Sequence, residues 1–199
     1  MLNRVTPLLE VRRGHFKMES GYHSETWFEL GSLFDDPVTV RPFVAELADR
    51  LSSHRPDAVC GPMTGGAKLA DMVATELGID GIVAERSGTA GATGLFPVQY
   101  RISETQRQKT RGRRIVIVDD AISAGSAVRG THADLIDCGA LPVALGALVV
   151  FGDAAARFAS DNGLALEAIE QMPFDMWRPT DCPLCKDGVA LDTAAARSG

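Results

Sequence analysis

RIVIVDDAISAGSAVR, residues 114–129, is the stretch that decides the fold of this chain. Residues 115–118 are all apolar, which is typical of a central parallel strand that is buried on both faces. The strand carries two adjacent carboxylates, Asp119 and Asp120, at its carboxyl end, and small residues lead from there directly into a helix. Because ligands of open α/β sheets bind at that end of the strands, the stretch predicts both an α/β fold and a binding site.

The residues that follow the two acids are suited to hold an anion. Small residues leave room for a phosphate, while the hydroxyls of Ser123 and Ser126 and the N–H groups that open the helix can point at its oxygens. Two carboxylates beside a phosphate would repel it unless they face other groups. The vicinal hydroxyls of a sugar, with Mg²⁺ as a further partner, fit that role. The stretch therefore predicts a phosphorylated sugar as ligand, rather than an acid pair that only caps a helix.

Strands and helices alternate along the rest of the chain. Asp36 before Pro37 predicts the N-cap and first turn of a helix that runs to about residue 53. Further strands are expected at residues 57–60, 81–85, 96–102, 142–151 and 164–169, and further helices at 68–77 and 153–160. Residues 3–13 predict a short helix, and residues 16–30 predict an irregular hairpin. This order predicts a central, mainly parallel sheet flanked by helices.

Composition narrows the class of protein. A chain of 199 residues with 45% hydrophobic content predicts one domain, residues 1–199, with residues 193–199 as a disordered tail. The net charge of −6 disfavours nucleic acid and anionic membranes as partners, so a phosphate ligand needs a local site. We found no apolar run of 18 residues and no signal-peptide core, and a cytoplasmic protein is expected.

Three stretches resemble one enzyme family. DDAISAGS, residues 119–126, is similar to the motif of type I phosphoribosyltransferases that binds 5-phosphoribosyl-1-pyrophosphate (PRPP), in the form seen in orotate phosphoribosyltransferases. FKMESGYHSETWFELGSLF, residues 16–34, resembles the N-terminal segment of the orotate enzymes, and CGPMTGGAKLA, residues 60–70, resembles their pyrophosphate loop. The resemblance covers about residues 15–150 and implies a type I phosphoribosyltransferase fold with a small hood formed by the N-terminal and C-terminal segments.

The resemblance also implies an activity and a set of site residues. The expected reaction joins orotate to PRPP with Mg²⁺ and releases pyrophosphate, in a homodimer. Asp119 and Asp120 are expected to be catalytic and to contact Mg²⁺, and Trp27 and Phe28 to contact the base. PRPP is expected to contact Asp119, Asp120, Ala121, Ile122, Ser123, Ala124, Gly125 and Ser126. Its pyrophosphate is expected at Met63, Thr64, Gly65 and Gly66.

Two positions depart from the family pattern by lacking a lysine. Gly65 follows Thr64 where the orotate enzymes usually carry a lysine, and Glu19 occupies the place of another. Arg86 and Arg101 are therefore expected to supply catalytic positive charge, next to a glycine-rich loop at residues 87–94 that we expect to be mobile. Two alternatives stay open: a transferase for another base, and a PRPP-sensing regulatory protein without turnover.

Other polar residues have less specific interpretations. CPLC, residues 182–185, has the spacing of a zinc knuckle but supplies two ligands where a structural zinc needs four. Cys60, Cys138, a histidine or a second subunit would have to supply the others, so free thiols are the simpler interpretation. His23 is either a substrate contact or an exposed hairpin residue, and the basic residues 107–114 are interpreted as a solvated turn.

Overall fold

Two sheets organise the chain, which the structure, a computed structural model, describes over residues 4–88 and 94–192. Strands β1 (Glu10–Lys17) and β2 (His23–Glu29) form an antiparallel hairpin. The strands of the main sheet are β3 (Ala58–Pro62), β4 (Asp80–Ser87), β5 (Gln99–Ile102), β6 (Arg114–Ile122), β7 (Leu141–Phe151) and β8 (Ala165–Met172). Their order is β5-β4-β3-β6-β7-β8, and β5 alone among these six runs antiparallel to its neighbour. The expected mainly parallel sheet is confirmed.

The helices are α1 (Pro37–Ser52), α2 (Gly65–Leu77), α3 (Glu104–Thr110), α4 (Ser126–Asp137), α5 (Ala154–Asp161) and the short α6 (Pro183–Lys186). Helices α1 and α2 pack on one face of the main sheet, and α4 and α5 pack on the other. As expected, Asp36 caps α1, accepting a hydrogen bond from the backbone N–H of Val38 at 3.0 Å. None of the helices in the described part of the chain is both long enough and apolar enough to cross a membrane.

Strand β6 lies at the centre of the core. Ile115, Val116, Ile117 and Val118 have no exposed surface. Val116 and Val118 belong to the hydrophobic cluster that contains α1 and α2, whereas Ile115 and Ile117 belong to the cluster that contains α4 and α5. Each such side chain contributes about 1.5–3 kcal/mol by leaving water. Burial on both faces thus fixes the direction in which the strand delivers the residues that follow it.

The structure differs from the sequence predictions at several element ends. The helix predicted at residues 3–13 is wrong: the chain makes a single 3₁₀ turn at Thr6–Leu8 and then enters β1, whose backbone pairs with β2. The basic run is only partly a turn, because its first residues complete α3, where Arg107 forms an ion pair with the buried Asp134. Strand β6 continues to Ile122, so that the acid pair lies within the strand. The tail predicted at residues 193–199 lies outside the described residues.

Glu170 on β8 fastens the N-terminal segment to the sheet. Glu170 is 3% exposed, and its carboxylate accepts hydrogen bonds from the backbone N–H groups of Arg4, Val5 and Thr6 at 2.7, 2.7 and 3.2 Å. The Thr6 hydroxyl donates to the same carboxylate. Burial on its own would raise the pKa of Glu170, but these hydrogen bonds outweigh it and the pKa lies below the usual value of a glutamate.

We expect Glu170→Gln to lower the free energy of unfolding at pH 7 by about 1–3 kcal/mol, because hydrogen bonds to a charged acceptor are the stronger ones. A depressed pKa contributes stability above the pKa of the unfolded state, and that contribution is lost as the pH falls through the folded-state pKa. The difference between wild type and variant should therefore shrink on acidification. Urea unfolding measured between pH 7 and pH 3 checks this, and a difference that is constant with pH would contradict it.

Candidate active site

The candidate site lies where the direction of chain progression across the sheet reverses. From β3 the chain passes through α2 to β4 on one side, and from β6 it passes through α4 to β7 on the other. A crevice forms at the carboxyl ends of the two strands at such a switch point. The pocket found here is lined by the ends of β3 and β6, the first turns of α2 and α4, and residues of the β1–β2 hairpin.

Asp119 and Asp120 form the floor of this pocket. Each carboxylate accepts one backbone hydrogen bond, Asp119 from the N–H of Asp120 at 3.1 Å and Asp120 from the N–H of Ala121 at 2.8 Å. Burial raises the pKa of Asp119 well above its usual value, and the charges of Asp120 and Glu19 raise it further. Burial also raises the pKa of Asp120, although Ala121 and Lys68 oppose the rise. The pair is thus set up to accept hydrogen-bond donors or a cation.

Glycines let the loop after β3 approach these acids. A Cβ atom on Gly65 would overlap the Asp120 carboxylate, and one on Gly66 would lie 2.7 Å from Asp119 Oδ1. A side chain at either position would force the acids or the loop to shift, so glycine at both positions lets the first turn of α2 begin directly beside the acids. The expected pyrophosphate-binding residues are therefore in contact with the expected ribose-binding residues. The Met63–Thr64 peptide bond in this loop is cis.

The loop between β6 and α4 has the geometry of an anion cradle. Gly125 adopts a left-handed conformation with φ of 79°, which a glycine takes without a steric penalty, and it turns the chain into α4. The Ser126 hydroxyl that lines the pocket is buried and has no hydrogen-bond partner in the described part of the protein. Buried hydroxyls normally have a partner, and because Ser126 lines the pocket a ligand bound there can supply one, whereas Thr131, whose hydroxyl is also buried without a partner among the described residues, does not line the pocket. The first N–H groups of α4, like those at the start of any α-helix, have no acceptor within the helix.

Glu19, Arg86 and Tyr100 form a polar wall on the hairpin side of the pocket. Arg86 lies 3.1 Å from Glu19 Oε2, and the Tyr100 hydroxyl donates to the two Glu19 oxygens at 3.1 and 3.0 Å. Burial and the neighbouring Glu19 raise the pKa of Tyr100, which therefore stays protonated as a donor. Arg86 accordingly reaches the site, as expected from the sequence, with its charge partly balanced by Glu19.

Arg101, the other arginine proposed from the sequence, is not brought to the pocket. Strands β4 and β5 pair Arg86 with Tyr100 and Glu85 with Arg101. Because successive side chains alternate between the faces of a sheet, Arg101 projects away from the face that carries Tyr100. It is exposed and does not line the pocket. Residues 89–93 of the loop predicted to be mobile lie outside the described residues.

Lys68 is a pocket residue that the sequence reasoning missed. It lies in the first turn of α2, lines the pocket, and holds its ammonium group 5.8 Å from the centre of the Phe34 ring. It lines the same pocket as the acid pair, and its charge lowers the pKa of Asp120. Its position three residues after Gly65, at the start of a helix that follows a loop next to the site, was the signal that could have identified it. A lysine is therefore present three residues after Gly65, the position at which this chain lacks the lysine of the family pattern.

The expected aromatic residues also line the pocket. Trp27 and Phe28 follow one another on β2, and both are half-buried. The Phe28 ring stacks on Phe151, with 4.4 Å between ring centres and 20° between planes, so one of its faces is occupied by the core. Among the described residues, the aromatic ring in contact with Trp27 is that of Phe16, which is tilted, with 6.0 Å between ring centres. Trp27 thus has the freer ring for a flat ligand.

A parallel α/β sheet with two carboxylates, an anion cradle and a glycine loop at its switch point defines a class of enzyme that binds a phosphorylated sugar. The model of the phosphoribosyl transferase domain family matches residues 41–167, and the chain belongs to that family. It is a phosphoribosyltransferase, which implies PRPP and a nitrogenous base as substrates. The fold and the family expected from the sequence are confirmed.

Curated relatives extend the likeness over nearly the whole chain. The orotate phosphoribosyltransferase of Caldanaerobacter subterraneus subsp. tengcongensis is 28% identical over 189 residues, which span 94% of this chain and 91% of that protein. The orotate phosphoribosyltransferase of Pelotomaculum thermopropionicum is 30% identical over 176 residues, spanning 88% of this chain and 85% of that protein.

Solved structures share the fold. The orotate phosphoribosyltransferase of Aeropyrum pernix has a TM-score of 0.61 at 23% identity and covers 81% of this chain and 88% of its own. The adenine phosphoribosyltransferase of Rhodothermus marinus has a TM-score of 0.64 at 13% identity and covers 84% of this chain and 96% of its own. Because proteins named for different bases have this fold, the fold alone does not determine the base.

Neutralising one member of the acid pair is expected to raise the stability of the ligand-free protein and to weaken PRPP binding. Since the pKa values of Asp119 and Asp120 are raised in the folded state, their ionisation destabilises the ligand-free protein as the pH rises above the carboxyl pKa of the unfolded chain. We expect Asp119→Asn to raise the melting temperature at pH 7.5 by about 2–4 °C for each kcal/mol recovered. The gain should vanish near pH 4, and PRPP binding should weaken by roughly tenfold or more through loss of a charged hydrogen bond.

Thermal melts and titration calorimetry measure the two effects. Asp71→Asn, at an exposed position of α2, is the matched control and should change neither. An Asp119→Asn protein that melts lower at pH 7.5, or that binds PRPP as tightly as wild type, would contradict this account of the site.

Proposed function

We propose that this chain transfers the phosphoribosyl group of PRPP to orotate, forming orotidine 5′-phosphate and pyrophosphate. The observation that supports PRPP as donor is the pairing of the acid floor with an anion cradle whose Ser126 hydroxyl is buried without a partner among the described residues. The likeness of nearly the whole chain to proteins named as orotate phosphoribosyltransferases supports orotate as acceptor.

In the proposed complex, each part of PRPP meets a different element. The 5′-phosphate binds the N–H groups at the start of α4 and the Ser126 hydroxyl, using the partial positive charge of the helix N-terminus. The ribose hydroxyls donate to Asp119 and Asp120. The pyrophosphate extends toward Gly65 and Gly66, where the start of α2 offers further N–H groups.

Catalysis in this arrangement rests on position and charge. The bond from C1′ to the pyrophosphate oxygen breaks with its electron pair leaving on pyrophosphate, and a ring nitrogen of the base, already deprotonated, forms the new C1′–N bond. Positive charge develops at the sugar in between. Asp119 and Asp120 are fixed beside the sugar by their backbone hydrogen bonds and can stabilise that charge without reorganising.

Mg²⁺ fits the donor set of this site. Asp119 and Asp120 offer the carboxylate oxygens that this ion prefers, and the negative charges of Asp120 and Glu19, which add to burial in raising the pKa of Asp119, favour a cation near the pair. When bound with PRPP, Mg²⁺ would neutralise part of the pyrophosphate charge. The side chains present thus suit the metal expected from the resemblance.

Lys68 and Arg86 are the protein cations that we assign to the pyrophosphate. Both line the pocket, and Lys68 begins α2 directly after the glycine loop. Together they take the place of the two lysines that the family pattern has at the positions of Glu19 and Gly65 and that this chain lacks. Trp27 is assigned to stack on the acceptor base, because its ring is the less covered of the two aromatic rings.

The acceptor is tested by incubating the protein with PRPP, Mg²⁺ and single bases, and measuring pyrophosphate release. We expect release with orotate and formation of orotidine 5′-phosphate, with adenine and uracil as controls that give at most a few per cent of the rate. Turnover with adenine in place of orotate would overturn the acceptor. PRPP binding without pyrophosphate release on any base would favour the sensor alternative.

The assigned cations are tested by substitution. We expect Lys68→Met, which keeps an unbranched apolar side chain but removes the ammonium group, to lower kcat/KM for PRPP by about 10–100-fold, the equivalent of a charged hydrogen bond of about 1.5–3 kcal/mol. Arg86→Ala should have a similar effect. Arg101→Ala, on the opposite face of β5, is the matched control and should stay within about twofold, since its side chain makes no contact with the pocket. Equal losses in all three variants would contradict the assignment.

A further inference from the structure

Four metal-ligating side chains meet outside the pocket, where the hairpin contacts the C-terminal segment. They are His15 on β1, His23 on β2, and Cys182 and Cys185 at α6. One ligand atom from each residue lies within 4.8 Å of all the others. The sequence indicated the two cysteines as ligands, and the fold brings the two histidines to them across 162 to 170 residues of chain. Cys60 and Cys138, the other thiols weighed from the sequence, lie in the core on the α4 side of the sheet.

The separations match the edges of a tetrahedral zinc site. His15 Nε2 lies 3.0 Å from His23 Nδ1, Cys182 Sγ lies 3.4 Å from His15 Nε2, and Cys185 Sγ lies 3.3 Å from His23 Nδ1 and 3.7 Å from His15 Nε2. Zinc bonds of about 2.0–2.1 Å to nitrogen and 2.3 Å to sulfur in tetrahedral geometry place two nitrogens about 3.3 Å apart and nitrogen and sulfur about 3.6 Å apart. Little movement would be needed to admit the ion.

His15 is oriented as a metal ligand. Its Nδ1 lies 2.7 Å from the carbonyl oxygen of Val189, and because a carbonyl can only accept, Nδ1 carries the proton. The lone pair of Nε2 therefore faces the other three ligand atoms. A histidine ligand whose second nitrogen donates to a backbone carbonyl is the usual arrangement around protein-bound metals. Val189 is itself held by a hydrogen bond from its N–H to the Leu184 carbonyl at 2.9 Å.

The backbone holds the ligands in place from both sides. His23 exchanges two hydrogen bonds with Trp177, at 2.8 and 2.9 Å, and the N–H of Asp192 donates to the carbonyl of His15 at 2.7 Å. His15, His23 and Cys182 are 2, 5 and 0% exposed, whereas Cys185 is at the surface and offers an entry path. Buried polar groups that converge in this way need either one another or an ion as a partner.

We propose that His15, His23, Cys182 and Cys185 bind one Zn²⁺ in a closed structural site that clamps the C-terminal segment onto the hairpin. Two sulfur and two nitrogen ligands in tetrahedral arrangement select zinc among the common divalent ions. Binding deprotonates both thiols and releases the protons to solvent. The hairpin also carries Glu19, Trp27 and Phe28 into the pocket, so the ion would fix the part of the hood that contacts the base.

The test is the metal content and metal affinity of the full-length protein. We expect wild-type protein that has been loaded with Zn²⁺ and dialysed to retain about one zinc per chain, as measured by inductively coupled plasma mass spectrometry. Replacing zinc by Co²⁺ should give the intense visible bands of a tetrahedral site and a thiolate-to-cobalt band in the near ultraviolet. Zinc content well below one per chain, or a Co²⁺ spectrum without the thiolate band, would overturn the proposal and leave a hydrogen-bonded cluster of thiols and imidazoles.

Matched cysteine variants separate binding from folding. Cys185→Ser alters the exposed ligand and should fold, yet it should weaken zinc binding by more than about tenfold, the least expected when a direct ligand is lost. Cys138→Ala removes a thiol outside the cluster and should retain the zinc. The circular dichroism of both variants checks their folding. A well-folded Cys185→Ser protein that binds zinc as tightly as wild type would also overturn the proposal. None of these readouts depends on transferase activity.

Discussion

The parallel pairing of β3 with β6 is the constraint on which the site depends. Three residue pairs join the two strands, from Ala58 with Ile115 to Cys60 with Ile117, and bring their carboxyl ends to the same edge of the sheet. At that edge the glycine loop after β3 meets the acid pair of β6 so closely that no Cβ fits on Gly65 or Gly66. The parts of the pocket assigned to ribose and to pyrophosphate are adjacent because the strands are.

The charges around this edge work against stability and in favour of binding. Burial raises the pKa values of Asp119 and Asp120, and the negative charges of Asp120 and Glu19 raise that of Asp119 further. Lys68 and Arg86 offset this only in part. Such a site suits a ligand that brings hydroxyl donors and a cation. It illustrates how a functional site can be destabilising without its ligand.

The sequence predicted most of what depends on local pattern. Apolar residues 115–118 predicted the central strand, and the acid pair with its small-residue loop predicted the cradle, because both signals are contiguous. The sequence did not predict the contribution of Lys68, or the face to which Arg101 points, since strand register decides the latter. The histidine partners of Cys182 and Cys185 depend on how the two ends of the chain meet. The homodimer and the single domain stay predictions.

A crystal structure of the protein with orotidine 5′-phosphate would test the central assignment most directly. The account predicts the phosphate of the nucleotide against the start of α4, within hydrogen-bond distance of Ser126 Oγ, and the ribose hydroxyls on Asp119 and Asp120. The base should lie toward Trp27 and the hairpin. A phosphate bound elsewhere, with the Ser126 hydroxyl still unpartnered, would contradict the account.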